Sequence, residues 1–126
     1  MSNISLVAMH ENDAFELGHW ENTTWTLRDD RSLICNVRYN MNDKKDRDID
    51  CKISEDDYDE IFKLLEGGKQ NDKKIFALDG DRWSFKQYDG DTKIYERRHG
   101  YIYGIDDFEK LERLLYKVVK MRPQEL

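Results

Sequence analysis

Apolar and polar residues alternate through most of this chain, and helical spacing replaces the alternation over two segments. Ile4–Met9 is a first apolar run that predicts a strand, and Ala14–Trp20 predicts a second with Phe15 and Leu17 on one face. Glu21–Thr24 reads as a turn. Trp25 and Leu27 then alternate with threonine, the period-two mark of a half-buried strand. Arg28–Ser32 reads as a turn, after which Leu33, Cys35, Val37 and Tyr39 share a face. A polar loop at Asn40–Asp46 leads to a strand with Ile49, Cys51 and Ile53 turned inward. Register follows the apolar pattern, because a one-residue slip turns the whole set to water. Matching the two faces sets Leu33 opposite Ile53, Val37 opposite Ile49, and Cys35 opposite Cys51.

The first helical spacing is Tyr58, Ile61, Phe62 and Leu65. Ser54 is its expected N-cap, with Asp57 three positions on approximating a capping box, and Gly67-Gly68 is its expected end. Beyond it, Lys74–Leu78 predicts a short strand, and Trp83 and Phe85 mark another. Asp89-Gly90 suits a tight hairpin, whose return strand would set Ile94 opposite Phe85. Tyr101–Tyr103 predicts a third extended piece. The second helix, capped by Asp106 or Asp107, would bury Phe108, Leu111, Leu115 and Val118.

Set side by side, Trp25 and Leu27 correspond to Trp83 and Phe85, and Tyr58, Ile61 and Leu65 to Phe108, Leu111 and Leu115. The expected fold is therefore α+β: an antiparallel sheet with two helices, arranged as two tandem β-β-β-α units at about 23–66 and 74–121 within a single domain spanning 1–126.

Composition agrees with a folded chain. The 126 residues are 38% apolar and 12% aromatic with one proline, too much core-forming material for a disordered segment. No run approaches the roughly 20 apolar residues of a membrane span, and the N-terminus lacks the basic flank of a signal peptide. The expected compartment is cytoplasmic. Cys35 and Cys51 lack metal or redox spacing, and two small apolar core residues are the simplest reading in a reducing compartment.

Charge changes the picture more. The net charge is −6, but residues 1–66 carry 16 acidic and 8 basic side chains while residues 67–126 carry 11 and 13. Such an asymmetry bears on partners and solubility. Acidic residues at Asp46, Asp48, Asp50 and Asp57 approach the ligand spacing of a calcium loop, but Cys51 stands where that loop needs glycine. The same aspartates mark the wet side of a strand. Arg98–Ile105 faintly echoes an RNA-binding strand motif, although Ile102 stands where a small residue belongs. The outer face of that hairpin would carry Lys86, Tyr88, Lys93, Tyr95 and Arg97, joined by Arg98, Tyr101 and Tyr103, as a basic, aromatic surface.

His10, His19 and His99 are scattered, no serine sits in a nucleophile elbow, and no glycine-rich loop precedes a helix. No catalytic residue, metal or cofactor is implied. The expectation is a non-enzymatic acidic protein that binds and blocks a basic protein partner, as an immunity-type or anti-defence-type inhibitor of a bacterial nuclease or similar effector. Its expected contact residues are Asp46, Asp48, Asp50, Glu55, Asp56, Asp57, Asp59 and Glu60, with tyrosines as apolar anchors. The second reading is a small-ligand or nucleic-acid module using the basic surface from Lys86 to Tyr103. Nucleic acid is the less favoured partner, since the net negative charge repels phosphate.

Overall fold

A computed structural model describes residues 2–14, 19–39, 46–73 and 80–120. Six strands and two helices follow in the order β1 (Ile4–Ala14), β2 (His19–Arg28), β3 (Ser32–Tyr39), β4 (Arg47–Lys52), α1 (Glu55–Gln70), β5 (Gly80–Asp89), β6 (Thr92–Gly100) and α2 (Asp106–Val118). The strands form one sheet in the order β4-β3-β2-β1-β5-β6, antiparallel at every neighbouring pair. This is the expected α+β class.

The alternation decides which face is dry. Leu6 and Ala8 on β1, Trp25 and Leu27 on β2, Leu33, Cys35 and Val37 on β3, and Trp83 and Phe85 on β5 are buried beneath the helices. Their sequence neighbours Val7, Met9, Thr24, Thr26 and Ser84 stay partly exposed on the other face. The two tryptophans stack with centroids 5.4 Å apart, and the Trp25 Nε1–H donates to the Leu115 carbonyl (2.9 Å), which ties β2 to α2. Truncating a buried tryptophan to alanine typically costs about 3–5 kcal/mol, so this pair anchors the helix layer.

Several expectations need correction. Glu21–Thr24 is not a turn but the interior of β2. It contains no glycine or proline, and Glu21 and Thr23 continue the buried face begun by Trp25. The β3–β4 register is shifted by two residues, pairing Leu33 with Cys51 and Cys35 with Ile49, so the cysteines are diagonal rather than opposite. Parity is kept, which is what the apolar pattern determines. The return strand pairs Phe85 with Arg97, and a shift between Gln87 and Tyr88 leaves Ile94 exposed. Residues 101–105 form a turn closed by the Ile105 amide on the Ile102 carbonyl, not a strand.

Ser54 caps α1 as expected, accepting from the Asp57 amide at 3.0 Å. The glycines do not end that helix, which runs on to Gln70. A Cβ on Gly68 would lie 2.2 Å from the Phe108 ring, so the glycine lets α1 and α2 approach closely. Nor does an aspartate cap α2: Ile105 holds the cap position without a side-chain bond, and Asp106 and Asp107 fill the first turn. The described elements run four strands and a helix, then two strands and a helix. Expected strands at Ala14–Trp20 and Lys74–Leu78 fall wholly or partly outside the described residues.

Candidate functional site

The first turns of α1 crowd carboxylates where the helix dipole favours them. Glu55, Asp56, Asp59 and Glu60 are exposed there, and none of the expected contact residues from Glu55 to Glu60 forms an ion pair with another described residue. The strand aspartates differ. Asp48 accepts from Asn36 and Arg38 at 2.8 Å each, which holds its carboxyl below the usual range, and Arg38 also lies 3.7 Å from Asp46. The expected acidic face thus divides into a part at β4, where Asp46 and Asp48 share Arg38 and Asp50 lacks such a partner among the described residues, and a free part at the start of α1.

Beside that free part lies a cleft of about 340 Å³, at the end of the sheet where β1 begins and β2 and β5 finish. Four segments line it: Asn3–Ser5, Asp29 from the β2–β3 turn, Tyr58, Asp59 and Phe62 from α1, and Tyr88–Gly90 from the β5–β6 hairpin. The hairpin turns through Gly90, whose φ of 64° favours glycine. Tyr58 packs on Phe62 with ring centroids 4.9 Å apart, and its hydroxyl meets Ser5 Oγ at 2.9 Å. Among the described residues, no basic side chain lines the cleft. Asp59 and Tyr88 belonged to two separate expected surfaces, and here they share one wall. Asp29, Phe62 and Asp89 were legible only as turn, helix-stripe and hairpin residues, because the topology alone gathers them at one site.

The expected basic, aromatic surface does not assemble. Tyr95 and Arg97 pair with Gln87 and Phe85 on the helix-facing side. Burial pushes the Tyr95 phenol up to about 12, and the Lys69 ammonium sits 4.8 Å above its ring. Arg97 binds Asp72 (3.1 Å) and the Tyr101 carbonyl (3.0 Å) and lies over Phe108. Lys93 and Arg98 both bond Glu96, holding its carboxyl down to about 2, and Lys86 stands across from it. Tyr101 turns edge-on to Tyr103, which faces inward. Among the described residues, no row of exposed rings remains there on which bases could stack.

A buried polar network occupies the other half of the sheet. His10 continues the inward face of Leu6 and Ala8, stacked on Trp83 with centroids 4.4 Å apart and planes 9° off parallel. Its Nε2 bonds Asp81, and its Nδ1 lies 2.6 Å from the Tyr116 hydroxyl. With Asp81 ionised, the His10 Nε2–H donates to it, and Nδ1 and the Tyr116 hydroxyl share the second bond. Burial alone would raise the Asp81 carboxyl, but the bond and charge of His10 outweigh it and hold it low. Glu112 Oε2 accepts from Trp83 Nε1 (3.0 Å) and Tyr103 (2.7 Å), yet burial pushes its carboxyl up. Burial, then contact with Asp81 and Glu112, raises the Tyr103 phenol. Both nitrogens of His10 are engaged within the protein, so neither faces an added reactant in this arrangement. The readable signal was Glu112, a charged residue four positions after Phe108 on an apolar stripe, with Tyr116 four further on.

No family model matches the chain, and no curated protein matches it. Its chemistry is therefore read from these surfaces: a free acidic helix start, an acidic and aromatic cleft beside it, and a basic flank whose Lys93, Arg97 and Arg98 are held in ion pairs.

Proposed function

We propose that this chain is a non-enzymatic acidic binding protein that docks a basic protein partner and blocks it by occlusion, as an immunity-type or anti-defence-type inhibitor of a nuclease-like effector does. The observation that carries the reading is the set of exposed carboxylates at Glu55, Asp56, Asp59 and Glu60, none of which forms an ion pair with a described residue. Charges without internal partners steer a positive protein and select against negative ones. The Asp46 and Asp48 carboxylates, engaged with Arg38, contribute less to such an encounter. The reading also takes Trp25 and Trp83 as equivalent positions of a duplicated strand-helix unit, since each lies on the buried face of its strand two positions before a second buried residue, Leu27 or Phe85.

The experiment is capture of partners on the tagged chain, elution across rising salt, and rebinding of each purified candidate by calorimetry. A basic protein whose rebinding weakens at least about tenfold in E55Q/D56N/E60Q supports the proposal, since removing several steering charges acts together. Rebinding unchanged by that triple substitution removes it.

A further inference from the structure

We infer that the cleft beside α1 receives a single cationic side chain, lysine or arginine, projecting from the partner's surface. The inference rests on the reading that the partner is a basic protein, and assigns the contact that would anchor it.

The cleft's size comes first. About 340 Å³ stands at the small end of the roughly 300–1,000 Å³ of ligand clefts, room for one long side chain rather than an extended peptide. Its chemistry is the second argument. Tyr58, Phe62 and Tyr88 offer aromatic surface to the aliphatic stem and a ring face to the charge. Asp29, Asp59 and Asp89 line it from a turn, a helix and a hairpin, so acidic residues border the cavity from three separate elements. Asp29 is partly committed, accepting from the Asn3 amide at 3.1 Å. Asp59 and Asp89 are exposed and form no ion pair with a described residue.

The cleft excludes other occupants by the same features. A phosphate or carboxylate would meet three acidic residues and, among the described residues, no donor side chain stronger than asparagine, serine or tyrosine. A purely apolar side chain would leave those carboxylates crowded without compensation. A lysine or arginine satisfies both halves of the lining, and arginine is among the residues that most often act as an interface hot spot ringed by weaker contacts.

The cleft is built on framework, not on a loop alone. Tyr58 is fixed between Phe62 and Ser5, and Ser5 is buried where the β1–β2 register shifts between Ile4 and Leu6. A preformed receptacle gains affinity because less ordering accompanies docking.

The test is a titration of the full, uniformly ¹⁵N-labelled chain with N-acetyl-arginine and N-acetyl-lysine methyl esters, with N-acetyl-norleucine methyl ester as the neutral counterpart. The expected result is saturable amide shifts at Asp29, Tyr58, Asp59, Phe62 and Tyr88–Gly90 with either cationic ester and none with norleucine. Affinity should weaken roughly fivefold in D59N/D89N, a double variant of exposed carboxylates. Equal shifts with norleucine, or cationic shifts confined to Asp46–Asp50, overturn the inference. Its failure is separable from that of the docking reading. If a purified partner loses affinity in E55Q/D56N/E60Q but not in D59N/D89N, the acidic surface docks and the cleft does not anchor. If the arginine ester fills the cleft while the triple variant keeps full partner affinity, the anchor stands without the acidic surface.

Discussion

Tyr103 stands between two carboxylates, donating its hydroxyl to Glu112 at 2.7 Å while contacting Asp81 on its other side. One phenolic proton cannot serve both. The arrangement closes when a protonated Glu112 donates to the phenol oxygen in turn, releasing the phenolic proton to Asp81, and burial pushes the Glu112 carboxyl in that direction. The two acids of this network therefore respond to pH with opposite signs.

For Glu112, the folded state holds a proton more tightly than the unfolded chain. Stability then falls as pH rises from the unfolded glutamate value, about 4.3, to the raised folded one. Glu112→Gln keeps an acceptor for Trp83 and Tyr103 and removes the titration. Urea unfolding at several pH values should show E112Q losing that decline and matching or exceeding the parent chain at pH 8. A variant less stable than the parent at pH 8 would mean that the charge is wanted.

For Asp81 the sign reverses. Its folded carboxyl is held low, so its stabilisation is complete above about pH 4 and is lost as pH falls through the folded value. Asp81→Ala strands the His10 Nε2–H in a buried site, an expected loss of about 1–3 kcal/mol at pH 7. The acid limb of the stability profile should flatten in the same variant.

The close approach of the helices makes a contrast between adjacent glycines. Alanine in mid-helix normally gains roughly 1 kcal/mol over glycine. At Gly68 the added methyl meets the Phe108 ring, so G68A should instead be destabilised by about 1–3 kcal/mol. At Gly67 the obstacle is the Asp107 carboxyl end, which can swing aside, and G67A should lose less. Combining G68A with F108L should recover part of the loss, read as a coupling in a double-mutant cycle.

The cysteines should differ in reactivity. Burial, then the neighbouring Cys51, pushes the Cys35 thiol up to about 12, and Cys51 is raised by burial but remains partly exposed. Iodoacetamide at pH 8 should label Cys51 first, with Cys35 following only on unfolding, as mass spectrometry of timed digests would show.

How far the sequence could be read depends on what each feature is made of. Strand faces were legible because alternation is local: Leu33, Cys35 and Val37 are buried as their spacing required. Register was not, since pairing Cys35 with Ile49 or with Cys51 buries the same face, and parity cannot tell a two-residue offset from none. Gly67 and Gly68 looked like a stop because their packing reason, Phe108, lies on another helix. The acidic helix start was legible as composition. The cleft was not, as Asp29, Asp59 and Asp89 are distant in the chain and meet only through the sheet order.

That order has a consequence for how the chain is made. β1 lies at the centre of the finished sheet, yet one of its two partners, β5, begins only at Gly80. At a synthesis rate of about 5–20 residues per second, β1 spends seconds as a bare strand edge open to any extended segment nearby. The half of the chain emerging during that interval, residues 1–66, is the half with twice as many acidic as basic side chains. Like charge on neighbouring nascent copies keeps them from pairing through the unfinished edge until Gly80–Asp89 arrives to close it.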